Sequence, residues 1–277
     1  MRRMENLVAL RIEKNVPFVA EVILLGPGKG NAMGPQFWEE CPRVFRALSQ
    51  DDEVRAIVVR GAGGNFTFGL DLKAMAPTLG ALVFGEGLAK DRTRLHGLVH
   101  ELQASFDAIA ACKKPVIAAI SGKCIGGGVD MISACDIRLA HKDAVFSVRE
   151  VKVAMVADLG SLQRLPKLIG LGHTKMLALT GDDIGADRAR EIGLVEEIYD
   201  DEAELLEAAR ALGARIAENP PLVVAGVKEV IDFCADKSVA EGERFVAVWN
   251  AAFLASYDLK EAFAAFMERR DPKFTGA

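Results

Sequence analysis

Through the first two hundred residues the spacing of apolar positions keeps switching between a strand period and a helix period. Leu7 to Glu13 sets Val8, Leu10 and Ile12 against Ala9, Arg11 and Glu13, which predicts a half-buried strand. Phe18 to Leu25 predicts a second strand after a turn at Asn15-Val16-Pro17. Pro35 to Leu48 carries Phe37, Trp38, Cys41, Val44, Phe45 and Leu48 at helical spacing. Pro35 suits its first turn, where a missing N–H costs nothing. Val54 to Arg60, Val116 to Ile120, Ile137 to Ala140 and Leu194 to Ile198 predict further strands. Asp91 to Ala111 predicts a long helix with Leu95, Leu98, Val99, Leu102, Phe106 and Ile109 on one face, broken by Lys113-Lys114-Pro115. Shorter helices are expected over 129–135, 160–168, 173–180 and 186–192. Ala76 to Glu86 is rich in Pro, Gly and small apolar residues and predicts a mobile loop.

Beyond Asp201 only the helical period remains. Helices are expected over 202–218, 221–235, 239–255 and 259–268, with Asn219-Pro220-Pro221 as the main break. The chain therefore divides into an α/β part, residues 1–200, and an all-helical part, residues 201–277.

Composition narrows the class. With 277 residues, 51% of them hydrophobic, the chain can bury a large core. A net charge of −5 argues against general nucleic-acid binding, which calls for a basic face. Five scattered cysteines, none in a C-x-x-C pair, fit a reduced compartment, and neither they nor the four histidines show zinc spacing. No run is long and apolar enough to span a membrane, and Met1 to Glu5 opens no signal-peptide core. These features set a cytoplasmic expectation, with no membrane or nucleic-acid partner.

Chemistry concentrates between Cys124 and Gly170. Gly126-Gly127-Gly128 follows a strong strand and precedes a short helix, and Gly69-Leu70 forms a second glycine turn after the Gly61–Asn65 loop. Two such turns can direct unpaired N–H groups at one oxygen and hold developing negative charge. They can equally be ordinary strand-to-helix turns. The spacing matches neither G-x-G-x-x-G nor a P-loop. Three acids follow in apolar surroundings: Asp130, Glu150 and Asp158. Each has a structural reading, Asp130 as a first-turn acid and Asp158 as the cap of the helix at Gly160. Converging on one pocket, they would have split pKa values suited to general acid and base work. Lys29, Lys73 and the tail cluster Arg269, Arg270 and Lys273 are either solvated charges or contacts to a phosphate-rich ligand.

These residues resemble the crotonase (enoyl-CoA hydratase/isomerase) superfamily. The resemblance rests on Leu25 to Met33, Phe66 to Asp71, Lys114-Pro115-Val116-Ile117-Ala118-Ala119, Gly126 to Gly128, Ala134-Cys135-Asp136-Ile137-Arg138 and Gln163-Arg164-Leu165-Pro166. Within it the chain most resembles the Δ3,5-Δ2,4-dienoyl-CoA isomerase subfamily. Asn31-Ala32-Met33, Phe37-Trp38, Phe66-Thr67 with Gly69, and Val148-Arg149-Glu150-Val151 carry that likeness, together with acids at 130, 150 and 158. Departures are Gly26 where Asn is common, Gly30 where a basic residue often follows Lys29, and Phe68 where a small residue is usual.

The resemblance implies a spiral of β-β-α units with a C-terminal helical lobe that assembles a trimer, often doubled to a hexamer. It implies an acyl-CoA thioester substrate and no separate cofactor, coenzyme A being part of the substrate. The backbone N–H groups of Leu70 and Gly127 would polarise the thioester carbonyl, and Lys29, Ala32, Phe68, Asp71 and Gly126 would contact the substrate. Glu150 would remove a proton from C2, Asp158 would deliver one at C6, and Asp130 would tune the pocket. The segment Ala76 to Lys90 would help line an acyl tunnel. Two other readings stand beside this one: an enoyl-CoA hydratase using Asp130 and Glu150, and a non-catalytic acyl-CoA or RNA-binding member of the fold.

Overall fold

The computed structural model describes residues 6–28, 30–85 and 87–277. Among the described residues, nine strands and ten helices are ordered β1 (Leu10–Val16), β2 (Val19–Leu24), α1 (Pro35–Ser49), β3 (Ala56–Gly61), α2 (Leu72–Val83), α3 (Ala89–Ala110), β4 (Val116–Ile120), β5 (Lys123–Ile125), α4 (Gly127–Ser133), β6 (Ile137–His141) and β7 (Val145–Ser147). A 3-10 turn (Glu150–Val153) leads to α5 (Ser161–Thr180), β8 (Ile184–Gly185), α6 (Ala186–Glu191), β9 (Glu197–Tyr199), α7 (Glu202–Ala217), α8 (Pro221–Cys234), α9 (Val239–Phe253) and α10 (Tyr257–Glu268). This is the expected α/β architecture.

The larger sheet runs β1-β2-β3-β4-β6-β9, parallel throughout except for the β1–β2 hairpin. Its central strands are buried on both faces, which is why Ile57-Val58-Val59 and Val116 to Ile120 are continuous apolar runs. A second layer is thinner. It consists of β5-β7-β8, extended by single bridges at Thr67–Cys124 and Met33–Leu70. The chain climbs by repeating one circuit: a strand of the large sheet, a short extended piece of the second layer, then a helix. In this way β3 passes through Thr67 to α2, β4 through β5 to α4, and β6 through β7 to the 3-10 turn.

Most apolar side chains fill the space between the sheets, α1, α3 and α5. The opposite face of the large sheet is covered by α7, whose Leu205 and Ala209 meet Val19, Ala56, Val58 and Ile117. The change of sequence pattern near residue 200 therefore does not coincide with a break in packing, because α7 belongs to the α/β body. Buried Glu21 on β2 fixes this docking. It accepts from Arg60 on β3 (3.1 Å) and from Nε and Nη2 of Arg210 on α7 (2.6 and 3.0 Å). Burial alone would raise its pKa, but the two guanidinium groups outweigh burial and hold the carboxyl below the usual range.

Two expectations change. Ala76 to Glu86 is not a loop over most of its length, because α2 runs to Val83. Leu72, Met75, Leu79 and Val83 recur at helical spacing, Asp71 caps the helix by accepting from the Ala74 N–H (2.9 Å), and Pro77, in the second turn, gives up one main-chain hydrogen bond without ending the helix. The helices expected at 160–168 and 173–180 form one element interrupted at Gly170, whose φ of 77° and ψ of 160° are not helical. Among the described residues no helix is long and apolar enough to cross a membrane.

Glu21→Gln keeps the shape of the side chain and leaves two guanidinium groups facing a neutral partner. It is expected to lower unfolding free energy by about 2–4 kcal/mol, read as a fall in urea midpoint at unchanged slope.

Candidate active site

The two glycine turns meet at the second layer. The Met33–Leu70 bridge uses the Met33 N–H to the Gly69 carbonyl (2.8 Å) and the Asp71 N–H to the Met33 carbonyl (3.0 Å). The N–H between them, that of Leu70, therefore points the other way, out of the bridge. Gly69 takes φ 79° to make this turn, and a Cβ there would lie 2.6 Å from the Ile125 carbonyl oxygen and 3.0 Å from the Gly127 nitrogen. Gly127 opens α4, so its N–H is one of the groups a helix start leaves without an intrahelical acceptor. Leu70 and Gly127 thus present two adjacent N–H groups to the same space.

That space is a cavity of about 410 Å³. Its polar end holds Leu70, Gly126, Gly127, Asp130, Glu150 and Asp158. Its apolar wall comes from α2 and α3, through Leu79, Val83, Leu95, Leu98, Val99 and Leu102. Phe68, half exposed, stands at the rim. All three acids and both N–H groups singled out in the sequence face this one cavity. Ala32 and Asp71 do not line it: Ala32 lies in the turn beside Gly26, and Asp71 is spent as the cap of α2. Lys29 lies outside the described residues.

The three carboxyls differ in surroundings. Glu150 begins the 3-10 turn after β7, and its Oε2 is buried without a hydrogen-bond partner. Gly126, at φ 54° and ψ −116°, abuts it, since a Cβ there would lie 3.0 Å from Oε1. Burial first, then the charges of Asp130 and Asp158, push the Glu150 pKa up to about 7. Asp130 is almost completely buried in α4, and burial pushes it up to about 6 although its Oδ1 accepts the Ser161 N–H (2.7 Å). Asp158 is the most open of the three and is raised by burial.

The capping reading of Asp158 is corrected here. Gly160, at φ 118°, occupies the cap position of α5, and the first helical N–H is taken by Asp130 from across the cavity wall. Asp158 is thereby free to face the cavity. The pairing of Gly30 with Phe68 has a steric basis as well. The Phe68 ring covers Gly30 so closely that a Cβ on Gly30 would fall 2.8 Å from it.

Several contributors went unrecognised in the sequence. Leu95, Leu98 and Val99 were grouped with the buried face of α3, yet they line the cavity, and only Leu102, Phe106 and Ile109 farther along are buried. The signal was available in the helix's length, since its N-terminal half outruns the core. Arg149 also lines the cavity, paired with Asp183 and donating to Ser147 Oγ (3.1 Å). Among the described residues no group of three or more His, Cys, Asp or Glu is arranged to hold a metal ion.

The family model described as enoyl-CoA hydratase/isomerase matches residues 16–277. A mitochondrial Δ3,5-Δ2,4-dienoyl-CoA isomerase of Dictyostelium discoideum is 44% identical over 269 residues, covering 96% of this chain and 90% of its own. The peroxisomal isomerase of Arabidopsis thaliana is 40% identical, with 92% of each chain covered, and the human mitochondrial one is 41% identical over 96% of this chain and 81% of its own. Among solved structures, an enoyl-CoA hydratase from Bacillus anthracis superposes with a TM-score of 0.87 at 29% identity, covering 98% of this chain and all of that one. The mitochondrial and peroxisomal relatives overturn the expectation of a cytoplasmic protein. With a family model spanning nearly its whole length and relatives above 40% identity, the chain belongs to the enoyl-CoA hydratase/isomerase family.

Proposed function

We propose that this protein isomerises 3,5-dienoyl-CoA to 2,4-dienoyl-CoA. The observation that carries the reading is the convergence of three carboxyls and two outward-facing N–H groups on one largely apolar cavity. The thioester carbonyl sits between the Leu70 and Gly127 N–H groups, which draw charge onto its oxygen and acidify C2; one such donor is worth about 3 kcal/mol. Glu150, beside Gly126 and hence next to the carbonyl, removes the C2 proton. The electron pair spreads through the 3,5-diene, and Asp158, which lines the same cavity, protonates C6. The double bonds end at C2 and C4. Only protons move, so no redox cofactor is called for, and coenzyme A enters as part of the substrate.

Hydration needs a second acid beside Glu150 to hold water. Asp130 is the candidate for that task, but its Oδ1 is engaged with the start of α5, and its charge serves instead to raise the Glu150 pKa. Asp158 is the group that fits isomerisation and has no task in hydration. The helical lobe we assign to self-association as a trimer or a doubled trimer, on the strength of Val223, Val227, Ile231, Phe263, Phe266 and Met267, which are exposed on α8 and α10.

With 3,5-octadienoyl-CoA, formation of the 2,4-diene is expected as rising ultraviolet absorbance, and Asp158→Asn is expected to slow it by about 10²–10⁴-fold. Full rate in that variant would remove the two-acid scheme. The scheme also sets a pH profile. Glu150 and Asp158 must share one proton between them, absent from the base and present on the acid. That last proton leaves as pH rises through about 7, the value to which Glu150 is pushed. We expect kcat/KM to fall above that pH, whereas a steady climb from pH 6 to 9 would mean that an ionised Glu150 alone suffices.

Stability should fall over the same pH range as activity. Because the folded protein holds the Glu150 proton more tightly than the unfolded chain, its contribution is complete below the ordinary carboxylate pKa of 4.5 and is lost as pH rises through about 7. Glu150→Gln is therefore expected to abolish turnover and, at pH 8, to gain on the order of 2 kcal/mol. The gain should vanish at pH 4.5 in thermal melts.

A further inference from the structure

The segment that carries Asp158 has almost no backbone support. It runs from Ala154, in the left-handed region at φ 58°, to Gly160 at φ 118°. Among the described residues, no main-chain N–H from Val156 to Gly160 donates to a carbonyl. Ala157 and Leu159 bury their side chains, which anchors the segment on either side of Asp158, but no main-chain ladder fixes the peptide planes between them. Such a segment does not by itself fix a carboxyl to the tolerance that proton transfer needs.

Two side chains from neighbouring helices close this gap. Gln103 Nε2, on α3, donates to the carbonyl oxygen of Asp158 itself at 2.6 Å. One turn along the same helix, Asp107 Oδ1 accepts from Arg164 Nη2 on α5 at 2.8 Å. The other arm of that guanidinium, Nη1, reaches the carbonyl of Leu159 at 3.4 Å. Gly160 makes room for it, because a Cβ there would fall 1.9 Å from Nη1. A guanidinium can hold both partners at once through its rigid fork, which an ammonium cannot.

We propose that Gln103 and Arg164 are positioning residues for Asp158, clamping the carbonyls of residues 158 and 159 so that the carboxyl meets the distal end of the reacting diene. Neither touches the substrate, and the inference rests on the role given to Asp158 above. Its consequence is a coupling between chain binding and proton delivery. The helix that holds Asp158 through Gln103 also walls the acyl cavity through Leu95, Leu98, Val99 and Leu102. A substrate that seats well against α3 thereby sets the acid at the correct point, and C6 protonation becomes sensitive to residues that lie outside the cavity.

The test is a double-mutant cycle on the full-length enzyme with 3,5-octadienoyl-CoA. Gln103→Met retains length and removes the donor. It is expected to lower kcat by about tenfold to a hundredfold, the usual penalty for a misplaced group of about 1 Å, while KM stays within twofold and the thermal midpoint is unchanged. Arg164→Lys, which keeps the charge facing Asp107 and loses the fork, is expected to give the same split. If the clamp acts through Asp158, then Gln103→Met added to Asp158→Asn costs no more than Asp158→Asn alone. A slow Asp158→Asn with Gln103→Met and Arg164→Lys at full rate overturns the positioning role alone. So does a Gln103→Met defect that multiplies in full with that of Asp158→Asn, or one confined to KM. A full-rate Asp158→Asn overturns the acid role of Asp158 and this inference with it.

Discussion

Keeping three carboxyls in one apolar cavity is the constraint on which the rest of the site depends. Each would be more stable in water, and together they repel. The fold relieves this unevenly. Asp130 is given the N–H of Ser161 and remains the most buried. Asp158 is left partly open to solvent. Glu150 receives nothing at Oε2 and is pushed furthest, up to about 7. The result is a group that exchanges its proton near neutrality, which a carboxyl with full hydrogen bonding would not do. The stabilisation that offsets this lies elsewhere, in the double-sided burial of the parallel sheet and in ion pairs such as that of Glu21 with Arg60 and Arg210.

The second layer turns that sheet into a site. Its strands are too short to contribute much as a sheet, and two of its links are single bridges. Their value is directional. Each circuit of the chain brings a strand end to the same side, where the backbone must turn sharply into a helix. At Leu70 and Gly127 the turn leaves an N–H pointing into the cavity, and glycines at 69 and 126 supply the positive φ that makes the turn possible. The donors at this end of the cavity are thus main-chain atoms, held by the topology rather than by any side chain that could be substituted away.

This explains what was legible in the sequence. The strands of the large sheet stood out because burial on both faces writes them as unbroken apolar runs, and the C-terminal helices because amphipathic period and proline breaks mark them. The second layer left no comparable trace, since β5 and β7 span three residues each and cannot show a period. Helix α2 was hidden by Pro77 and Gly80, although Leu72, Met75, Leu79 and Val83 keep the helical spacing through them. At the site, the three acids and two glycine turns were visible because their residue types are out of place among apolar neighbours. Gln103 and Arg164 were not, because their partners are backbone carbonyls more than fifty residues away from Gln103 and five from Arg164, and a carbonyl has no residue identity to read.

The exchange at Gly30 and Phe68 shows how two positions beside the cavity constrain one another. The Phe68 N–H donates to the Gly30 carbonyl at 2.8 Å, so the two backbones are already joined where the ring lies over the glycine. A side chain at position 30 and a ring at position 68 compete for one volume, and here the ring has it. The ring stands at the rim of the cavity, next to the turn that presents the Leu70 N–H. A large apolar group there narrows the approach of water to the cavity while leaving the N–H itself untouched. In a site that works by keeping charge poorly solvated, excluding water at the rim serves the same end as burying Glu150, and the two departures from the family pattern become one physical choice.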